Sequence, residues 1–211
     1  MAYRRGRYRR RRTFRRRYRR RFVRGRRRGY RRRLNQNTTY RFSRTYVWPA
    51  LIGSTVSYTS NGIAFQLSDL PSYSDFASLF DFYRIRGARI KFIPRKTVND
   101  DNSYNGDFYT VADYDDVISP TETDLQSKQG VKVRYSIGRP WSIFIRPVAS
   151  IPVYNGALST SAYAQARRRM WLDMANPSVP HYGLKWGWTQ VQTPVTIDVF
   201  ITLYVECKGV Q

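Results

Sequence analysis

The sequence lacks the residues on which most enzymatic sites depend. Among its 211 residues there is one cysteine, Cys207, and one histidine, His181. No Cys-x-x-Cys or His-x-x-x-His spacing exists for a zinc site, and no disulfide can form within the chain. We expect Cys207 to be a buried small apolar side chain and His181 to be a structural residue. A glycine-rich phosphate loop is also missing. The chain therefore offers no catalytic residues, and we predict that it is not an enzyme and has no cofactor.

Long apolar segments are missing as well. No run approaches the roughly 20 apolar residues that cross a bilayer, and the N-terminus has no apolar core of the kind found in signal peptides. We therefore expect a soluble protein without membrane insertion.

Six of the 14 acidic residues cluster in one stretch, residues 100–116. Its start at Asp101 superficially resembles a calcium-binding loop, but the twelfth position, which requires a glutamate, is Ala112. Asp113 and Asp115 would share one face of a strand and could hold a divalent ion. A solvated acidic loop explains them better, and we predict no metal site.

Acids and lysine are absent from the first 33 residues, which hold 20 of the 38 basic residues. This leaves 18 basic and 14 acidic residues, or a charge of +4, for residues 34–211. A segment with so many like charges and so few apolar residues cannot build a core. We predict a disordered arm at residues 1–36 and one domain at residues 37–211.

The choice of arginine indicates the partner of this arm. Guanidinium groups match phosphate with a planar fork of donors, so binding to nucleic acid should be strong, indifferent to sequence and dependent on salt. The aromatic residues of the arm can stack on unpaired bases, which favours single-stranded nucleic acid. Arginine-rich runs also serve as nuclear-import signals and heparin-binding patches. The predicted nucleic-acid-binding and nuclear-localisation residues are Arg4, Arg5, Arg7, Arg9, Arg10, Arg11, Arg12, Arg15, Arg16, Arg17, Arg19, Arg20, Arg21, Arg24, Arg26, Arg27, Arg28, Arg31, Arg32 and Arg33, and the candidates for base stacking are Tyr8, Phe14, Tyr18 and Tyr30.

Residues 34–211 alternate apolar and polar side chains with a period of two. The clearest case is residues 194–208, where seven apolar residues from Val195 to Cys207 share one parity, which predicts a long strand with one buried face. Residues 130–138, 141–147 and 182–190 show the same pattern, and shorter strands are expected at 107–114 and 168–174. In the third of these patterns Tyr182, Leu184, Trp186 and Trp188 share a parity, and in the first Val131, Val133, Tyr135 and Ile137 do.

Other local features complete the predicted fold. A change of parity at Gly87-Ala88 predicts a β-bulge, and the Asn-Gly pairs at 61–62, 105–106 and 155–156 predict tight turns. Residues 74–83 have helical spacing behind a candidate Ser74 cap. We predict an all-β fold: a single antiparallel eight-stranded jelly-roll sandwich with one short helix, preceded by the arginine-rich arm. The expected core or interface residues are Tyr83, Phe92, Trp141 and Trp188.

Several segments resemble the capsid proteins of circoviruses and cycloviruses. Residues 80–94, FDFYRIRGARIKFIP, are similar to the stretch of those proteins in which an aromatic helix end runs through Tyr-Arg-Ile-Arg into a strand. Residues 41–46 (RFSRTY), 180–184 (PHYGL) and 199–207 (VFITLYVEC) follow in the family order. The loops at 97–128 and 147–166 do not match in detail.

The resemblance implies a self-assembling T=1 icosahedral shell of sixty copies around a circular single-stranded DNA genome. The arms would line the inside, and the protein would occur in the virion and in the host nucleus. It also implies binding to host nuclear import receptors, attachment to host cells and entry by endocytosis.

Two questions stay open at the level of sequence. Basic residues outside the arm could extend an inner DNA surface, bind sulfated glycans on host cells, or be solvated strand faces and salt bridges; they are Arg84, Arg86, Arg89, Lys91, Arg167, Arg168 and Arg169. The alternative to a shell protein is a non-assembling nucleic-acid-binding protein with a basic arm, of the ribosomal or chromatin type. The 5 Trp, 17 Tyr and 11 Phe favour extensive subunit interfaces and hence the shell.

Overall fold

The computed structural model describes residues 38–95, 105–135, 137–153, 162–165 and 170–210. These residues form eleven strands, two short α-helices and one 3-10 helix. The strands are β1 Tyr40–Ile52, β2 Thr59–Phe65, β3 Phe80–Pro94, β4 Phe108–Val111, β5 Lys132–Arg134, β6 Trp141–Ile145, β7 Val148–Val153, β8 Ala162–Gln165, β9 Leu172–Asp173, β10 His181–Trp188 and β11 Thr196–Val210. The α-helices are α1 Tyr73–Ala77 and α2 Glu122–Ser127, and the 3-10 helix is Leu67–Asp69.

Eight strands pair in a nested order. β1 pairs with β11, β2 with β10, β3 with β6 and β4 with β5, all antiparallel. The pairings of β3 with β11 and of β4 with β10 join them into two sheets, β1-β11-β3-β6 (the β1 sheet) and β5-β4-β10-β2 (the β10 sheet). Nested pairing of this kind is the double Greek key of a jelly roll. The predicted eight-stranded jelly-roll sandwich is therefore confirmed.

Three further strands lie in the connection between β6 and β10. β7 pairs with β8 and, over two residues, with the start of β10, while β9 pairs with the start of β3. The long connection thus returns to both sheets before the last two strands begin.

The core lies between the sheets, and β11 shows why this sequence forms it. Every residue of the predicted apolar parity, from Val195 to Cys207, is buried, whereas Phe200, Thr202 and Tyr204 on the other parity are only partly buried. A strand with one parity apolar gains most when that face packs on a second sheet. Cys207 is buried, as expected, and burial raises the pKa of its thiol to about 11.

Aromatic rings fill one end of this core. Phe92 stacks on Trp141 with 5.0 Å between ring centroids, and Phe108 meets Phe92, Trp141 and Trp188 edge-on. The Trp188 Nε1–H donates to the carbonyl oxygen of Asn105 at 3.0 Å, so its polar atom is satisfied. Of the four expected core residues, Tyr83, Phe92 and Trp188 are fully buried and Trp141 is half-buried against them.

The outer side of the β10 sheet is covered. Leu125 of α2 packs on Tyr109 and Val111, which point away from the main core, and forms a second apolar cluster with them. The α2 helix begins with a capping box in which Thr121 and Asp124 exchange hydrogen bonds. This helix was not predicted, although Thr-x-x-Asp is a recognisable start signal.

The predicted helix over residues 74–83 is too long. The α1 helix ends at Ala77, its N-cap is Ser72 rather than Ser74, and Phe80 already begins β3. Backbone pairing with β11 over the whole of β3 outweighs the helical spacing. Phe76, Phe80 and Tyr83 are nevertheless buried, whereas Leu79 is exposed.

The bulge in β3 is confirmed, one residue earlier than predicted. Tyr204 of β11 pairs with Gly87 and the next residue, Val205, pairs with Ile85, so Arg86 is the extra residue. Because of it, Ile85 and Ile90 are both buried although their parities differ.

The Asn-Gly interpretation is wrong at residues 61–62, which lie inside β2. An added Cβ at Gly62 would overlap the backbone of Val117, so close approach of a neighbouring segment, not a turn, accounts for this glycine. Gly106 has a φ of +72° in the loop before β4, as a tight bend requires. The third pair, 155–156, lies outside the described residues.

The predicted strand over residues 130–138 is shorter than expected. Only Lys132–Arg134 form β5, and Tyr135, which was assigned to the apolar face, is 75% exposed. A separate finding concerns membranes: in the part of the chain that the structure describes, no helix is long and apolar enough to cross a bilayer.

Candidate nucleic-acid interface

Part of the predicted interface cannot be placed. All twenty arginines of the arm, the stacking candidates Tyr8, Phe14, Tyr18 and Tyr30, and the run Arg167, Arg168 and Arg169 lie outside the described residues. The other four predicted residues, Arg84, Arg86, Arg89 and Lys91, are described and belong to β3.

These four side chains lie on the outer side of the β1 sheet. Arg84 precedes the bulge and Arg89 follows it, and the extra residue returns both to the side opposite the buried Ile85 and Ile90. Arg86, Arg89 and Lys91 are exposed and Arg84 is half-buried. The bulge thus converts an irregular sequence spacing into one row of cations.

Neighbouring strands add to this row. In one row across the sheet, Glu206 of β11 lies between Arg41 of β1 and Arg84 of β3. In another row, Arg89 of β3 lies between Thr202 of β11 and Phe144 of β6. The basic side chains at outward positions are Arg41 of β1, Arg84, Arg86, Arg89 and Lys91 of β3, Arg95 directly after β3, Arg146 after β6 and Lys208 of β11; we call this surface the basic face.

The basic face holds eight of the 18 basic residues outside the arm. Its eight basic residues are accompanied at outward positions by three acids, Glu206, Asp198 and Asp173, which leaves +5. Residues 34–211 together carry +4, from 18 basic and 14 acidic residues. On the outer side of the other sheet, α2 packs on Tyr109 and Val111.

One carboxylate organises three of these arginines. Glu206 has a side chain only 5% exposed, and its oxygens accept from Arg84 Nε at 2.7 Å and from Arg41 Nε at 3.0 Å, with Arg86 Nε at 3.8 Å. Burial opposes ionisation of Glu206, but the hydrogen bond and charge of Arg84, with the charges of Arg86 and Arg41, outweigh it and lower its pKa. One negative charge therefore fixes three guanidinium groups and leaves them a net charge of +2.

One aromatic residue, Trp171, contacts two cations of the basic face. The Arg84 guanidinium carbon lies 4.2 Å from the centroid of the Trp171 ring, and Lys208 Nζ lies 4.7 Å from the same ring. Cation–π contacts fasten the segment before β9 to the basic face. Trp171 follows the Arg167–Arg169 run in sequence with only Met170 between them.

The sequence analysis missed four basic residues of this surface and its central carboxylate, Glu206; the four are Arg41, Arg95, Arg146 and Lys208. The sequence did indicate that Glu206 and Lys208 lie on the outward face, because both have the polar parity of β11. Their partners on β1 and β3 lie more than 120 residues away in sequence, and only the register of the sheet reveals them.

The buried polar groups elsewhere form structural pairs. Asp113 is buried, not solvated as expected, and its carboxylate contacts Lys128 and, at 3.2 Å, the buried Lys185. Lys185 also contacts Asp116 at 2.5 Å. His181 is buried with Nδ1 2.9 Å from the Val179 carbonyl oxygen, and burial lowers its pKa to about 4. Among the described residues no group of three His, Cys, Asp or Glu side chains could hold a metal ion.

The comparison with protein families decides which class of protein this is. The profile described as "Circovirus capsid protein" matches residues 3–211, nearly the whole sequence. The chain belongs to the circovirus capsid protein family. This circovirus capsid protein is thus a virion shell protein and not an enzyme, as the sequence analysis predicted.

Solved structures support the same fold at low identity. The 60-mer BFDV capsid protein matches with a TM-score of 0.66 and 20% identity over 82% of this chain and 95% of that one. The decameric BFDV capsid protein matches with a TM-score of 0.59 and 20% identity over 81% and 99%. Tobacco necrosis virus matches with a TM-score of 0.54 and 11% identity over 82% and 97%. These likenesses show the jelly roll that the circovirus capsid protein shares with them.

Proposed function

We propose that sixty copies of this chain assemble into a T=1 icosahedral shell that packages a circular single-stranded DNA genome. The observation that carries the proposal is membership of the circovirus capsid family over residues 3–211. It is supported by the similar BFDV capsid protein, which was crystallised as a 60-mer. A jelly roll with one basic side suits a subunit that meets its neighbours laterally and a polyanion on one face.

In this proposal the arginine arm at residues 1–36 neutralises the genome. Each guanidinium on a phosphate releases condensed counter-ions, which gives strong binding without sequence preference. Sixty copies with 20 arm arginines each would supply 1200 positive charges. The same arm acts as the nuclear localisation signal that host import receptors bind, because import signals share this composition.

The basic face is proposed as a second, ordered part of the inner DNA surface, with Arg167–Arg169 as an extension. Arg41 follows Arg33, the last arginine of the arm, by only eight residues, so the two basic regions are adjacent in the chain. Aromatic rings among the cations favour nucleic acid over sulfated glycans. Surfaces other than the basic face then mediate attachment to host cells, for example through sulfated glycans, and endocytic entry.

The first experiment is electron microscopy with light scattering on the purified chain at near-physiological salt, with and without residues 1–36. We expect uniform shells about twenty nanometres across in both cases, the size that sixty domains of this length would enclose. A monomer in both cases, even with single-stranded DNA present, would reject the shell and favour a non-assembling basic-arm protein.

A second experiment tests packaging. Replacing every arginine of residues 4–33 by serine should leave shells that contain no DNA, measured by the ratio of absorbance at 260 and 280 nm and by nuclease-protected DNA. Shells of this variant that retain full DNA content would show that the arm is not the packaging element. Cells expressing the same variant should show loss of nuclear accumulation.

A further inference from the structure

A groove crosses the middle of the basic face beside Gly87. It encloses about 600 Å³, and two aromatic rings, Phe144 and Tyr204, form part of its wall. Four arginines also line it: Arg41, Arg86, Arg89 and Arg146. We call this site the Gly87 groove.

The rings in the groove are available for a ligand. Phe144, on the outer side of the edge strand β6, is 52% exposed, and its ring meets that of Tyr204 edge-on with centroids 5.9 Å apart. The Phe144 ring rests over Gly87, where an added Cβ would come within 2.5 Å of its Cζ. The bulge and the glycine together provide the space that lets a ring lie low on this face.

The arginines are placed to meet charge next to these rings. Arg41 and Arg86 are oriented by Glu206 at 3.0 and 3.8 Å. For Arg89 and Arg146 no carboxylate lies within ion-pair distance in the described part of the chain. A ligand with a flat ring and a phosphate on either side of it would satisfy both features of the groove.

We propose that the Gly87 groove binds an unpaired base of single-stranded DNA against Phe144 and Tyr204, with the flanking phosphates on Arg86, Arg89 and Arg146. The inference rests on the proposed packaging of single-stranded DNA and deepens it. A duplex keeps the faces of its bases stacked inside, and a sulfated glycan would use the cations but not require the ring platform. The groove therefore selects unpaired nucleotides by stacking and holds them by charge.

The test uses full-length chain assembled with single-stranded DNA in which thymine is replaced by 5-iodouracil. After irradiation and digestion, mass spectrometry identifies the peptides that carry a nucleotide. We expect cross-links at Tyr204 or Phe144 in addition to those in the arm. Duplex DNA of the same sequence should cross-link the arm but not the groove.

Two variants separate the groove from the fold. Gly87→Ala displaces the Phe144 ring, and Arg89→Ala removes a phosphate partner that supports no described ion pair. Each should lower the Tyr204 cross-link roughly five-fold or more, as expected when about 1 kcal/mol of stacking or charge is lost. Tyr135→Ala, which removes an exposed ring at the end of β5, is the matched control and should leave the groove cross-link unchanged.

The outcomes distinguish this inference from the proposed function. Shells that package DNA and cross-link only through the arm would overturn the groove and leave packaging intact. Shells that package no DNA would reject the proposed function itself. If intact shells bind heparin, lose that binding in Arg89→Ala and show no groove cross-link, the groove faces outward and binds sulfated glycans, which also overturns the inference.

Discussion

Replacing Glu206 by glutamine removes the charge that three arginines of the basic face share. The side chain is 5% exposed, and its main partner, Arg84, is 18% exposed and contacts it at 2.6 Å. Loss of one partner of a buried ion pair costs about 3–5 kcal/mol. Two features reduce this cost: Arg84 is partly exposed, and glutamine keeps an oxygen that can accept a hydrogen bond. We therefore expect the free energy of unfolding to fall by about 2–3 kcal/mol. Arg41, 81% exposed, adds little.

The pH dependence gives a sharper signature. The folded-state pKa of Glu206 lies below its ordinary value of 4.5, because Arg84 and its neighbours outweigh the effect of burial. A depressed carboxyl pKa contributes stability that is fully present above the unfolded value and is lost as pH falls through the folded value. The difference between wild type and Glu206→Gln should therefore be largest near neutral pH and shrink below about pH 4.5.

The assay is urea unfolding followed by tryptophan fluorescence between pH 3 and 7, with assembly state matched by light scattering. Asp198→Asn is the matched control, because Asp198 lies on the same face of the same strand and pairs with Arg95 in an exposed position. The control should change stability far less. Equal losses in both variants, or a Glu206→Gln loss that does not vary with pH, would refute the argument that burial of Glu206 gives its ion pairs their strength.

Three other predictions follow from the core and the loops. Gly62→Ala should destabilise the fold by about 1–3 kcal/mol in urea unfolding, because the methyl group would overlap the Val117 backbone; an unchanged midpoint would contradict this. Cys207 should not react with a thiol reagent at pH 8 in the native protein and should react fully in denaturant, since burial raises its pKa to about 11; rapid native labelling would contradict its burial. Asp113→Asn should cost about 1–3 kcal/mol, because two lysines lose a partner, and the loss should diminish at acidic pH, where the wild-type carboxylate, whose pKa is lowered, is also protonated.

The strands could be predicted well where one parity was apolar over many residues. In β11 the alternation alone identified the buried face. Successive side chains of a strand point to opposite faces, and only one face of β11 packs in the core and needs apolar residues. The same logic located the bulge in β3 from a change of parity. It failed where a glycine served close packing, as at Gly62, and where a helix had one buried residue, Leu125, and so showed no apolar stripe.

The basic face could be predicted only in part. The outward direction of Arg84, Arg89 and Lys91 followed from the buried residues between them. Their partners did not, because Glu206 reaches them through a register between strands distant in sequence. The groove depends on the same register, which brings Phe144 of β6 and Tyr204 of β11 to the two sides of Gly87. A sequence pattern predicts which face of one strand is buried, whereas a site on a sheet is formed by side chains from several adjacent strands.

The distribution of charge bears on two roles of the proposed shell protein, binding of nucleic acid and contact between subunits, which would conflict on one surface. In the proposed shell each copy would supply 20 positive charges from the arm and five from the basic face, so the face would provide a fifth of the total. In that shell its contribution would be one of position, because side chains held by Glu206 and Trp171 lose little conformational freedom on binding. With +5 on the basic face, the remainder of residues 34–211 carries −1, so in the proposed shell subunits that meet through other surfaces would experience little mutual repulsion. Such a chain would pack against copies of itself while presenting positive charge to the proposed genome.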